Sequence, residues 1–178
     1  KDFHCSEGAF SKKDLKKKPG SRIKTNIGKE FALVEPSFID FYKRIKRSPQ
    51  IIPRKDIGLI ISETGINKQS KVVDAGSGSG GLCLMLANIV KEVITYEINK
   101  EYIKIVKDNI TFLGLKNVKI KEKNIYKEME EKDVDLLVLD VPEPWLAIRS
   151  AEKALKIGGF LVSYSPSVPQ VMDFVNTI

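Results

Sequence analysis

From Lys71 to Tyr164 the chain alternates short apolar bursts with longer stretches of helical period. Val72 and Val73 open a strand, and a glycine-rich turn then leads into an apolar helix from Leu82 to Val90. Val93 to Ile98 reads as the next strand and Glu101 to Leu113 as the next helix, ended at Gly114. Val118 to Lys121 and the strongly apolar Val134 to Val141 give a third and a fourth strand. Ala147 to Leu155 is helical, Gly158 and Gly159 end it, and Phe160 to Tyr164 is a fifth strand. Helices of this length between strands predict βαβ units and a parallel sheet covered on both faces. Ligands of such sheets sit beyond the carboxyl ends of the strands, at the switch point. Gly76, Glu97, Asn124 and Asp140 all fall at those ends.

The chain before Lys71 is patterned differently. Phe38, Ile39, Phe41, Tyr42 and Ile45 follow a helical period from Pro36 to Lys46, Ile51 to Pro53 read as extended, and Asp56 to Gly65 as a second helix. Lys12 to Ser21 is a charged, turn-containing loop. These boundaries divide the chain into a basic segment, residues 1–50, that includes a linker helix, and an α/β domain, residues 51–178. Residues 1–55 hold fifteen Lys and Arg against six Asp and Glu, a net +9, whereas residues 56–178 hold fifteen against seventeen, a net −2. The whole basic excess is therefore N-terminal, which suits a polyanion bound through its phosphates, although a Lys-rich surface also serves solubility. No apolar run reaches membrane-spanning length, and no export signal is present. Cys5 and Cys83 have no metal or disulfide spacing, so no metal is expected and a reducing cytoplasm fits. His4, the only histidine, reads as a surface or packing residue.

The sharpest local feature is Asp74-Ala75-Gly76-Ser77-Gly78-Ser79-Gly80-Gly81-Leu82, directly after a strand and opening a helix. Gly76, Gly78 and Gly81 satisfy the dinucleotide pattern, which leaves NAD as one reading and a purely structural turn as another. Asp74, two residues before the first glycine, favours a cationic ligand such as the sulfonium and amino group of S-adenosylmethionine and sits poorly beside a diphosphate. Glu97 ends the second strand, where a carboxylate accepts hydrogen bonds from both ribose hydroxyls. Asn124 and Ile125 follow the third strand, where an amide suits the adenine edge and an aliphatic side chain its face. Asp140 leaves a buried strand at the ligand end, and Pro142 and Pro144 stiffen the loop after it. A charge in that position is expensive unless partnered, so it is expected to face a cleft. Gln50, Pro142 and Trp145 are candidate substrate contacts. The plainer readings are a linker amide for Gln50, a turn residue for Asp140 and a core aromatic for Trp145. Enzymes that methylate the adenine amine carry Asp or Asn, then Pro-Pro and an aromatic at this place, and Asp140-Val141-Pro142-Glu143 departs from that pattern.

Together these residues resemble the tRNA (adenine-N1)-methyltransferase family, particularly its archaeal branch. The resemblance covers nearly the whole chain, including Gly28-Lys29-Glu30-Phe31, Arg47-Ser48-Pro49-Gln50-Ile51-Ile52, Leu139-Asp140-Val141-Pro142-Glu143-Pro144-Trp145 and Gln170-Val171. It implies a small N-terminal β-domain and a Rossmann-like class I methyltransferase domain of which the C-terminal strands are missing. It further implies S-adenosylmethionine as cofactor, methylation of T-loop adenine 58 and in some members also 57, tRNA as partner, and a homotetramer built as a dimer of dimers. By the same carry-over Gly76 to Leu82 hold the methionine part of the cofactor, Glu97 its ribose, and Asn124 and Ile125 its adenine. Asp140 would lie by the methyl group and the target base. Two rivals stand: a small-molecule methyltransferase of the corrin-precursor type, which needs no basic segment, and a non-catalytic tRNA-binding paralogue, which needs neither the glycine loop nor Asp140.

Overall fold

A computed structural model describes residues 2–48, 51–127 and 129–178. The chain folds as two compact units, Lys1–Lys43 and Arg44–Ile178.

The first unit is built from two antiparallel pairs, β1 (Phe3–Cys5) with β2 (Gly8–Phe10) and β3 (Arg22–Lys24) with β4 (Glu30–Ala32). Asn26 joins them, its main-chain N donating to Ala9 O and its side-chain oxygen accepting from Ala9 N at 2.8 Å. Phe10 is buried, its ring 5.1 Å from that of Phe31 and 6.5 Å from that of Phe3. A short helix α1 (Phe38–Tyr42) follows, started by a capping box in which Ser37 N donates to the Asp40 carboxylate and the Ser37 hydroxyl accepts from Asp40 N. The sequence period carries this helix to Lys46, yet it stops four residues earlier. Lys46 instead exchanges main-chain hydrogen bonds with the Asn109 amide, at 2.8 and 2.9 Å.

The second unit is a five-stranded, wholly parallel sheet. It comprises β5 (Lys71–Ala75), β6 (Glu92–Tyr96), β7 (Val118–Lys121), β8 (Val134–Leu139) and β9 (Leu155–Ser163), in the spatial order β7-β6-β5-β8-β9. Helix α2 (Arg54–Thr64) precedes the sheet, α3 (Gly81–Ala87) and α4 (Lys100–Leu113) link β5 to β6 and β6 to β7, and α5 (Ile148–Ala154) links β8 to β9. Helix α6 (Val168–Val175) follows β9. The chain runs outward from β5 to β7 and then returns to β8, so the switch point lies between β5 and β8. Both central strands are buried on both faces, which explains why they are apolar apart from Lys71, Asp74 and Asp135: Val72, Val73, Leu136, Leu137, Val138 and Leu139 are all inaccessible.

One boundary differs in kind from the sequence reading. Gly158 and Gly159 do not end the helix; α5 stops at Ala154, and β9 runs through both glycines. Pairing with β8 is broken there, since Val134 partners Leu155 but Leu136 partners Phe160. Gly158 takes φ +78°, and a Cβ on Gly159 would stand 2.8 Å from Val134 O. The glycines are a strand irregularity, a role that sequence cannot separate from a helix stop. Among the described residues no helix is long and apolar enough to cross a membrane.

Candidate active site

The glycine turn begins where β5 ends. Gly76 N donates to Asp140 O at 3.1 Å and Asp140 N donates to Ala75 O, so the β5–β8 ladder continues one step past the strands and sets Asp140 against the turn. Gly80 N then donates to Ser77 O at 2.7 Å, closing the turn ahead of α3. Gly80 has φ +87°, and a Cβ there would meet Leu84 at 2.7 Å, so only glycine fits without displacement. Glu97, just beyond β6, accepts from Gly78 N at 3.0 Å on one oxygen and from Ile98 N and Asn99 N at 2.8 and 2.9 Å on the other. Its carboxylate is thereby fixed at the mouth of the turn, with lone pairs left for the hydroxyls of a ligand.

These groups surround a cleft of about 430 Å³, within the range of small-molecule sites. Ala75, Gly76 and Gly78 form its floor, Tyr96 to Ile98 one wall, Lys123 to Tyr126 another, and Asp140 to Glu143 the fourth side. A second, small cavity of about 20 Å³ shares Gly76, Gly78 and Asp140 with the cleft and is further lined by Ile51, Ile52, Ser77, Ser79, Gly81 and Leu82. The segment leading into it is strapped down: Ser48 N donates to Ser79 Oγ at 2.8 Å, and Asn109 Nδ2 bridges Lys46 O and Ser79 O, both at 2.9 Å.

The site is acidic. Burial pushes the Asp140 carboxyl up to about 6. Asp74 is buried beneath the turn and pushed up to about 7, chiefly by burial and further by the charges of Asp140 and Glu97, against the hydrogen bond that Thr95 donates at 2.7 Å. Its second oxygen and the Ser77 hydroxyl are buried with no hydrogen-bond partner among the described residues. A Cβ added at Gly76 would point into the gap between Glu97 Oε2, at 3.5 Å, and Asp140 O, at 3.7 Å. Three carboxylates around an open glycine cradle fit a cationic ligand such as S-adenosylmethionine. They repel a diphosphate, so this chemistry disfavours the dinucleotide reading.

The structure brings most candidate residues together. Gly76, Gly78, Glu97, Asn124, Ile125, Asp140 and Pro142 line the cleft, and Ser77, Ser79, Gly81 and Leu82 line the small cavity next to it. Asp74 lies one layer below, and Gly80 shapes the turn. Trp145 sits in a 3-10 turn, Pro144–Ala147, and packs on the hydrophobic core beside the cleft. Gln50 lies outside the described residues. Asn124 turns part of its side chain inward, its amide oxygen accepting from Tyr126 N at 2.9 Å. Sequence reasoning missed Tyr102 and Tyr126, both on the cleft. For Tyr126 a signal existed, since it stands two residues past Asn124 in a loop at the ligand end of the sheet.

The family model described as the tRNA methyltransferase complex GCD14 subunit matches residues 42–178. The chain is 35% identical to the tRNA (adenine(57)-N(1)/adenine(58)-N(1))-methyltransferase TrmI of Methanocaldococcus jannaschii, over 99% of this chain and 72% of that protein. It superposes with a TM-score of 0.87 on the SAM-dependent O-methyltransferase of Thermotoga maritima, at 35% identity over 99% of this chain and 68% of the other. The tRNA (m1A58) methyltransferase TrmI of Aquifex aeolicus gives a TM-score of 0.83 at 25% identity, over 100% of this chain and 72% of the other.

Proposed function

Because this chain belongs to the tRNA methyltransferase complex GCD14 subunit family, we propose that it methylates N1 of adenine in tRNA from S-adenosylmethionine, at T-loop position 58 and also at 57. The observation that carries the reading is the pairing of Asp140 with Gly76, which sets an acceptor-side carboxylate directly beside the donor turn.

S-adenosylmethionine supplies a methyl group already activated by its sulfonium. The glycine turn, Gly76 to Leu82, would hold the methionine part, Glu97 the ribose, and Ile125 with Asn124 the adenine. Asp74, beneath the turn, would act on the cation in its ionised form, which the donor's positive charge favours. On the acceptor side the N1 lone pair is available without deprotonation, so the chain has no strong base to provide. Asp140 accepts a hydrogen bond from the target's amino group and offsets the positive charge that N1-methylation leaves on the ring. Pro142 lines the part of the cleft in which the base would rest, and Gln50 and Trp145 are the remaining candidate substrate contacts. Drawing the base out of its stack costs roughly a few kcal/mol. Contacts between tRNA phosphates and the basic N-terminal unit offset that cost. The reading extends to a homotetramer and to a cytoplasmic setting, both supported by the family resemblance.

Incubation with labelled S-adenosylmethionine and unmodified tRNA, followed by mass spectrometry of the nucleosides, tests the proposal. The expected product is 1-methyladenosine. Methylation of an oxygen, transfer to a corrin precursor without RNA, or donor-independent tRNA binding without transfer would each select a different reading.

A further inference from the structure

The acceptor side of the cleft depends on a short loop, Asp140 to Glu143, whose backbone must be held still if the Asp140 carboxylate is to meet a base at one angle. Two side chains from outside the loop take hold of its backbone. Glu143 N donates to the Tyr126 hydroxyl at 3.1 Å. Pro142 O accepts from Gln170 Nε2 at 3.0 Å.

Both pins are themselves fixed. Gln170 Oε1 accepts from Ser167 Oγ at 3.0 Å at the start of α6, which orients the amide so that its NH₂ faces Pro142. The Tyr126 backbone is held by the Asn124 side chain, and its ring packs against the hydrophobic core. Tyr126 also lines the cleft, on the wall assigned above to the donor's adenine. One residue therefore serves two places: its ring closes the donor side while its hydroxyl ends on the acceptor loop. Gln170 is not part of that cleft lining and holds the loop from α6.

We propose that Tyr126 and Gln170 are positioning residues that clamp the Asp140–Glu143 loop from opposite elements, and that Tyr126 ties the placement of the acceptor loop to the wall of the donor cleft. The proposal rests on the methyl-transfer reading for its kinetic consequences but not for its structural one. A misplacement on the scale of 1 Å is enough to lower transfer markedly, whereas the donor's own contacts stay in place.

The variants are Tyr126→Phe, which removes only the hydroxyl, and Gln170→Glu, which keeps an acceptor for Ser167 but presents no donor to Pro142 O. Hydrogen exchange on the donor-free protein should show the Glu143 amide exchanging severalfold faster in Tyr126→Phe. Each single variant should lose roughly 3- to 10-fold in kcat/KM for tRNA, in line with one hydrogen bond, while in Gln170→Glu, outside the cleft lining, the calorimetric Kd for S-adenosylmethionine moves less than twofold. The double variant should lose less than the product of the two singles, since both act on one loop. Gln170→Glu should be as poor as Gln170→Ala, which a packing role for this side chain does not predict. Unchanged Glu143 exchange overturns the clamp whatever the enzyme does. Normal tRNA turnover by the variants, or a loss of donor affinity equal to the loss of turnover, overturns the positioning role. If the parent protein transfers no methyl to tRNA while Glu143 exchange responds as expected, the functional reading fails and the kinetic half of this proposal falls with it.

Discussion

Asp74 is held at a cost to stability, and replacing it with asparagine exposes that cost. Its carboxyl is buried with one oxygen bonded to Thr95 and the other without a hydrogen-bond partner among the described residues. Its proton is released at about 7 rather than at 3.8. That displacement corresponds to about 4 kcal/mol of bias against the ionised form. Because the folded chain keeps a proton that the unfolded chain releases, stability contributed at this position falls as pH rises from about 4 to about 7. Asp74→Asn keeps the shape and the acceptor for Thr95 but brings an amide NH₂ that burial leaves poorly paired, at about 1–3 kcal/mol. The variant should therefore be more stable than the parent at pH 8 by about 1–3 kcal/mol and no more stable, or less, at pH 4. Urea unfolding of both proteins at a series of pH values measures this directly, the quantity of interest being the difference between them. A difference that does not change with pH would refute the argument, because it would mean that the Asp74 carboxyl is not the group whose ionisation folding opposes.

Three further outcomes follow from the site. Asp140→Asn should lower the single-turnover rate of methyl transfer by roughly 10²–10³-fold, with donor affinity by calorimetry changed only a few-fold; a variant of near-parental rate removes Asp140 from the chemistry. The ionised form of Asp140 is the working one, so parental transfer should fall off as pH drops through about 6, and this acid limb should vanish from the residual rate of Asp140→Asn. Replacing Lys12, Lys13 and Lys16 together with alanine should flatten the dependence of tRNA affinity on salt by roughly 0.7–0.9 in logarithmic slope for each phosphate that these lysines neutralise. Filter binding between about 50 and 200 mM salt reads that slope, and donor Kd should stay unchanged.

The parallel sheet was legible because its signal is strong and local. The doubly buried strands β5 and β8 read as mostly apolar bursts, Val72-Val73 and Leu136 to Leu139, and helices α2 and α4 end at Gly65 and Gly114 as the sequence indicates. Asp74, Gly76, Glu97 and Asp140 were legible from a rule of topology, since each stands at or next to a carboxyl end of a strand. What sequence could not supply were bonds between distant segments. Nothing local tells Lys46 to leave its helix for Asn109, sixty-three positions away. Nothing local says that Gly158 and Gly159 loosen a strand rather than finish a helix. The place of Tyr126 at the ligand end of the sheet was readable from its distance to Asn124, but its hydrogen bond with Glu143 joins segments seventeen positions apart and no local pattern announces it.

The shared hydrogen bonds of Ala75, Gly76 and Asp140 have one more consequence. Neighbouring strands stand about 4.8 Å apart, and here donor turn and acceptor loop issue from two neighbouring strands, β5 and β8. The sheet thus acts as a gauge block for the reaction: the span that a methyl group must cross is tied to a main-chain spacing that side-chain substitution does not alter. Acceptor specificity is then free to drift in the loops without disturbing the stroke length, whereas a one-residue slip of β8 against β5 would point the Asp140 carboxylate to the opposite face of the sheet.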